Sequence, residues 1–220
     1  MTRIGIIVGS TRPNRNSEKV ARWVHDIASQ RGDAEFELID LRDHTLPHLD
    51  EPMPPSFGLY QNEHTKQWSA TIAAFDGFVI ASPEYNHGIP GVLKNAFDYL
   101  YAEWNNKAVG FVTWGAVGGA RAAEHLRAIA GELQMADVRQ QVTLSLVADF
   151  EHYREFTPSE HQAAAANAML DQVITWSTAL GPVRGRSSRS LNRVRKPLPV
   201  RQARKMPSPG RVPQMTCTTT

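Results

Sequence analysis

The sequence predicts an α/β fold: a five-stranded parallel sheet, in the strand order 2-1-3-4-5, with helices on both faces. Three observations predict it. Short, continuous apolar runs recur along the first 180 residues, as strands buried on both faces require. Segments with apolar residues at helical spacing separate those runs. Five such strand–helix units follow in series, which implies parallel strands joined by right-handed crossovers.

The elements follow in order. Ile4–Val8 is the first strand. Val20, Trp23, Val24, Ile27 and Ala28 then recur at helical spacing. Phe36, Leu38 and Ile39 mark a second strand, and the segment from Leu41 to Gly58, with prolines at 47, 52, 54 and 55, reads as a long loop. A helix is expected over about Asn62–Ala74, and Phe78–Ala81 is the third strand. Leu93, Ala96, Phe97 and Leu100 line a third helix, and Lys107–Thr113 is the fourth strand. Ala122, Leu126, Ile129, Ala130 and Leu133 give a fourth helix. Val142–Val147 is the fifth strand, with Val138 leading in. Thr157 and Pro158 look like the cap and first turn of a last helix, which runs to about Leu180 and stops at Gly181-Pro182.

Bulk properties bound the function. The chain has 220 residues, 41% of them hydrophobic, which suits one domain with chain to spare. No stretch approaches the ~18 uninterrupted apolar residues of a membrane span. The first apolar run is too short for a signal-peptide core, so a cytoplasmic protein is expected. The lone Cys217 excludes an intrachain disulfide and a cysteine-based metal cluster. Charge is split along the chain. Residues 1–180 carry 14 Lys and Arg against all 22 Asp and Glu, a net −8, whereas residues 181–220 carry 10 basic residues and no acid. The acidic body argues against a nucleic-acid or membrane partner for residues 1–182, the expected domain. Residues 183–220 have little apolar periodicity and read as a disordered basic tail. It is either a solvated extension or a contact for anionic membrane or nucleic acid.

In a sheet of this kind ligands bind beyond the carboxyl ends of the strands, near the switch in strand order, which singles out three loops. The first is Gly9-Ser10-Thr11-Arg12-Pro13-Asn14-Arg15-Asn16-Ser17, entering a helix N-terminus, where free N–H groups and the macrodipole attract phosphate. It is neither a Walker A loop nor G-x-G-x-x-G. Its hydroxyls and arginines suit a terminal monophosphate; equally, it reads as a polar loop with Asn16 or Ser17 as helix cap. The second loop is Ser82-Pro83-Glu84-Tyr85-Asn86-His87-Gly88-Ile89-Pro90-Gly91, whose prolines and glycines fix a backbone that can lie against a flat ring. The third runs from Thr113 to Arg121 and holds Gly115, Gly118 and Gly119, which permit close approach to a ligand or simply a tight turn.

Gly9-Ser10-x-Arg12, followed by Pro83-Glu84-Tyr85-Asn86-x-x-x-Pro90-Gly91-x-Leu93-Lys94-Asn95-Ala96-x-Asp98, resembles the NADPH-dependent FMN reductase family of flavodoxin-like quinone reductases, over about residues 3–180. The resemblance implies a flavodoxin-like three-layer sandwich that binds FMN and takes hydride from NADPH or NADH. It implies that Ser10, Arg12 and Ser17 hold the phosphate, with Arg15 and Asn16 as additions. Pro83, Glu84, Tyr85, Asn86 and Gly88 would line the flavin largely through main-chain atoms, and Thr113, Gly115 and Gly118 would complete the pocket. The flavin carries the chemistry, so no catalytic side chain is required; His87 is a candidate proton donor or an ordinary loop histidine. A small-molecule electron acceptor (a quinone, free flavin or similar oxidant) and a homodimer or homotetramer are expected from the resemblance. The alternative is a flavodoxin-type electron carrier without nicotinamide oxidase activity, although Gly9-Ser10-Thr11-Arg12 fits the reductases better. His44, His48 and Asp50 have metal-like spacing but lack the helical geometry of a zinc site, and read better as part of a mobile loop over the flavin.

Overall fold

The structure, a computed structural model, describes residues 1–184. The expectations for the basic tail therefore lie, beyond Arg184, outside the described residues. Strands β1 (Arg3–Val8), β2 (Glu35–Asp40), β3 (Gly77–Pro83) and β4 (Ala108–Gly115) pair in parallel, and β5 (Ala136–Asp137) and β6 (Val142–Ser145) share the outer edge of β4. The order is β2-β1-β3-β4-β5, the one expected of a flavodoxin-like sheet.

Side-chain alternation along these strands builds two cores. Ile4, Ile6 and Val8 of β1 and Val79 and Ala81 of β3 face helices α1 (Ser17–Ser29) and α5 (Glu160–Ala179). Ile7, Phe78, Ile80 and Phe111 face α2 (Glu63–Ala73), α3 (Gly91–Asp98) and α4 (Ala120–Glu132). Strands buried on both faces need apolar residues at every position, which is why they appear as unbroken runs. Trp68 and Trp104 pack inside the second core, their indole N–H groups donating to the carbonyls of Ala96 (2.8 Å) and Phe97 (3.3 Å).

Three departures from expectation have local causes. The expected fifth strand is split: the Val138 N–H still donates to the Val109 carbonyl of β4 (2.9 Å), but residues 139–141 leave the ladder where the Arg127 guanidinium takes the carbonyls of Val138 and Arg139 and the side chain of Gln141, and the Gln140 N–H turns to Gln172. The segment after β6 is not a plain helix entry. It forms a hairpin, β7 (Phe150–Glu151) and β8 (Glu155–Phe156), so that Ser159 rather than Thr157 occupies the N-cap of α5. At the far end α5 ends before Gly181-Pro182 as expected, with Leu180 at its C-cap, but the chain does not leave the fold there. Residues 181–184 form a further helical turn, and Arg184 donates to the carbonyls of Asn106 and Ser177 and to Asp76 (2.7 Å).

The loop of 41–62 is tied to α2 and α3, and none of its residues lines the cleft at the carboxyl ends of the strands. Asn95 exchanges hydrogen bonds with the carbonyl of Pro47 (2.7 Å) and the N–H of Leu49 (3.0 Å). Asp50 accepts from Tyr99, His64 and Asn62. The His64 contact helps hold the Asp50 carboxyl below the usual carboxylate range, while burial and Asp50 push the Tyr99 phenol up to about 12. His44 packs on Trp68, ring centroids 4.7 Å apart, and burial pushes its imidazole down.

Candidate flavin site

Parallel register brings the three loops together. Val8 aligns with Ala81, and Ala81 with Val112, so the chain leaves β1, β3 and β4 at one edge of the sheet. One cleft of about 460 Å³ lies there. Arg12 to Ser17 of the first loop, Pro83 to Tyr85 of the second, and Trp114 and Gly115 of the third line it, together with Leu146, Tyr153 and Arg154.

The first loop is held from beneath. The Gly9 N–H donates to the Ala81 carbonyl (2.8 Å), and a Cβ on Gly9 would come 2.7 Å from that oxygen, so only glycine fits. Arg15 is buried; its guanidinium donates to the Ser10 carbonyl (2.9 Å) and pairs with Asp40. Arg42 donates to the carbonyls of Thr11 and Arg12. Asn16 stands at the N-cap of α1, but its side-chain amide reaches the Tyr153 carbonyl (3.0 Å) rather than capping the helix. Arg12 differs: its guanidinium is exposed and makes no hydrogen bond or ion pair among the described residues.

Ser17 is fully buried in the first turn of α1, and its Oγ has no hydrogen-bond partner, as also holds for Arg15 Nε. An orphaned buried hydroxyl costs about 1–3 kcal/mol unless a ligand satisfies it. The first N–H groups of α1 are orphaned for the same geometric reason. Hydroxyl, N–H groups, macrodipole and the exposed Arg12 all favour negative charge at this end of the cleft.

The second loop turns tightly. Tyr85 and Gly88 exchange backbone hydrogen bonds (2.9 and 3.1 Å), and Asn86 and His87 between them take positive φ of 48° and 74°. Two of the N–H groups expected to face a ring are therefore spent inside the turn, and those of Asn86 and His87 are left without a recorded acceptor. Glu84 does not present its carboxylate to the cleft as a free acid. It accepts from the Arg121 backbone N–H (3.2 Å) and pairs with its guanidinium (3.0 Å), tying the second loop to the start of α4. The same guanidinium contacts His87 Nδ1 (3.2 Å), which as acceptor leaves the proton on Nε2. His87 is exposed and stands outside the cleft lining.

In the third loop, Gly118 and Gly119 both take positive φ (68° and 70°), and a Cβ on Gly119 would lie 2.6 Å from the Trp114 nitrogen. Thr113 is buried and donates to the Gly118 carbonyl (3.1 Å), so it shapes this turn from inside. Gly115 reaches the cleft; Gly118 does not. Sequence reasoning missed Asp40 and Arg42, the struts of the first loop, and Tyr153 and Arg154, which line the same cleft and are tied to Asn16 and Lys19. The predicted order places the end of strand 2 beside the first loop, which was the available signal for the struts.

The family model for NADPH-dependent FMN reductase matches residues 2–149. The chain belongs to that family. As an NADPH-dependent FMN reductase it is an FMN-dependent oxidoreductase that uses NAD(P)H. An NAD(P)H-dependent FMN reductase of Schizosaccharomyces pombe is 40% identical over 149 residues, which cover 67% of this chain and 74% of the relative. A 2-hydroxy-1,4-benzoquinone reductase of a Burkholderia species is 30% identical over 145 residues, 63% of this chain and 75% of the relative. The solved structure of a flavoenzyme NAD(P)H:(acceptor) oxidoreductase from Paracoccus denitrificans superposes with a TM-score of 0.64 at 21% identity, covering 81% of this chain and 98% of that one, and so shares the fold.

Proposed function

We propose that the cleft holds FMN with its phosphate in the first loop and its ring between the second and third, and that the enzyme reduces a small quinone-like or flavin acceptor. The observation that carries this placement is the buried, partnerless Ser17 hydroxyl at the α1 N-terminus, in one cleft with the unpaired Arg12. Bound FMN supplies the two-electron chemistry that links NAD(P)H to the acceptor. The chain's own residues bind and orient. Ser17, the α1 N–H groups and Arg12 bind phosphate, whereas Arg15 shapes the loop through Asp40 and the Ser10 carbonyl. Of the second loop, Pro83, Glu84 and Tyr85 line the cleft, whereas Asn86 and Gly88 stand with His87 outside its lining; Tyr85 and Trp114 supply apolar wall. The Glu84–Arg121 pair keeps the turn in place.

Quinone-like acceptors are supported by the benzoquinone-reductase relative. Assembly as a homodimer or homotetramer is supported by the exposed apolar side chains of Leu49, Met53, Phe57 and Leu59, and size-exclusion chromatography with light scattering tests it. Among the described residues no helix is long and apolar enough to cross a membrane. A cytoplasmic enzyme, with direct access to NAD(P)H, fits this reading.

The test is a spectrum of the full chain after FMN is added and the excess removed. A retained flavin band near ~450 nm that NADPH bleaches without oxygen is expected, and a quinone should then restore it. A retained band that nicotinamides leave unchanged would sink the reductase reading in favour of an electron carrier.

A further inference from the structure

The hairpin of β7 and β8 begins where the family match ends, at residue 149, so the family pattern assigns it nothing. It is nonetheless built against the first loop. Phe150 is buried and meets Phe156 at 5.0 Å between ring centroids, and Phe156 packs edge-on against Trp23 of α1 at 5.4 Å. Asp149, also buried, accepts from the Ser145 N–H (2.7 Å), and its carbonyl accepts from the Thr157 N–H (2.9 Å), closing the base. At the tip, His152 and Tyr153 take positive φ of 49° and 61°, a conformation that costs non-glycine residues energy. The first turn of α1 grips this tip: Asn16 donates to the Tyr153 carbonyl and Lys19 to the Arg154 carbonyl (2.6 Å).

These contacts set Arg154 at the mouth of the cleft, among like charges. Arg12 and Arg15 line the same cleft, and a neighbouring one holds Lys19, Arg22 and Arg42. Most of these cations are occupied: Arg15 by Asp40, Arg22 by Glu18 (3.0 Å), Lys19 and Arg42 by carbonyls. Among the described residues the guanidiniums of Arg12 and Arg154 make no hydrogen bond or ion pair. Gathering two unpaired cations beside an orphaned buried hydroxyl is unfavourable unless an anion enters between them.

We propose that the hairpin is a second wall of the phosphate cradle, with Arg154 binding the FMN phosphate together with Arg12. The inference rests on the placement of that phosphate in the first loop. Such a wall reaches the phosphate from residues 137 positions away in sequence from the helix turn that grips it, so cofactor retention depends on the hairpin as well as on the first loop.

The test uses the full chain and two probes, FMN and its phosphate-free counterpart riboflavin, with dissociation constants read from flavin fluorescence. Arg154→Ala should raise the FMN constant on the order of ten-fold and leave riboflavin within about two-fold, and Arg154→Lys should recover part of the loss. Its melting temperature should match the wild type, because the guanidinium has no intramolecular partner to lose. An unchanged FMN constant in Arg154→Ala, while Arg12→Ala raises it, would overturn the clamp and keep the first-loop site. Equal weakening of both probes would also overturn it, since the hairpin would then act on shape alone. If neither Arg12→Ala nor Arg154→Ala separates FMN from riboflavin, the phosphate lies elsewhere and the underlying placement fails as well.

Discussion

Ser10 Oγ lies 2.9 Å from the Tyr85 hydroxyl, joining the first loop to the second across 75 positions of sequence. Ser10 is buried, and its Oγ also receives the Arg12 N–H (3.4 Å). Ser10 therefore braces the proposed phosphate end against the proposed ring end, and where the Tyr85 hydroxyl is the donor the Ser10 proton stays available to a phosphate. Tyr85→Phe should cost about 0.5–1.5 kcal/mol of stability and weaken FMN binding a few-fold. In a double-mutant cycle Ser10→Ala should add little to Tyr85→Phe, because the two share one interaction. Additive losses in thermal melts would mean the hydroxyls act separately.

The two arginines of the first loop should separate by readout. Arg12→Ala removes an unpaired, exposed cation, so FMN affinity should fall about ten-fold with the melting temperature unchanged. Arg15→Ala removes a buried cation and strands Asp40 and the Ser10 carbonyl. It should cost about 2–3 kcal/mol of stability before any ligand is added. Denaturant titration of the protein without flavin checks the second claim; equal stability in the two variants would refute it.

Much of this arrangement was legible in the sequence, and the rest was not for identifiable reasons. Ile4–Val8 and Phe78–Ala81 are apolar at every position because both faces are covered, and that alone placed the first and second loops of chemistry at strand ends. The Pro83–Asp98 motif located the second loop. The role of Arg15 was not readable, since its partner Asp40 is 25 residues away and only folding makes it a strut. The hairpin gave no signal because its tip is His152-Tyr153, without the glycine or asparagine that marks a tight turn. The split of the fifth strand depends on Arg127, a side chain on a neighbouring helix.

Glu84→Gln should act at the opposite end from the phosphate variants. The carboxylate is nearly buried and holds both the Arg121 backbone and its side chain at the start of α4, where the macrodipole also favours negative charge. Its loss should cost about 1–2 kcal/mol, discounted for the half-exposed Arg121 partner. FMN and riboflavin affinities should fall together, because in the proposed placement the disturbed second loop borders the ring rather than the phosphate. A loss confined to FMN in fluorescence titrations would count against this placement of the ring.

Lys107 should give the fold a pH dependence remote from the site. It opens the fourth strand, is buried, donates to the Ile72 carbonyl (2.7 Å) and sits 5.4 Å from the Phe78 ring centroid. Burial first, and the nearby Arg184 charge second, push its ammonium down from 10.5 to about 7. Between those two values the unfolded chain binds the proton more tightly than the folded one, so stability rises with pH across that window. Below about 7 both states are protonated and the burial penalty is constant. Lys107→Met removes the titrating group but also the hydrogen bond to Ile72. Its melting temperature should therefore exceed the wild type at pH 6, on the order of 5 °C, and the advantage should shrink or reverse by pH 9. Scanning calorimetry of both proteins at the two pH values decides it. Parallel pH profiles would show that Lys107 keeps an ordinary proton affinity, and that local polar groups or water solvate its ammonium despite its burial.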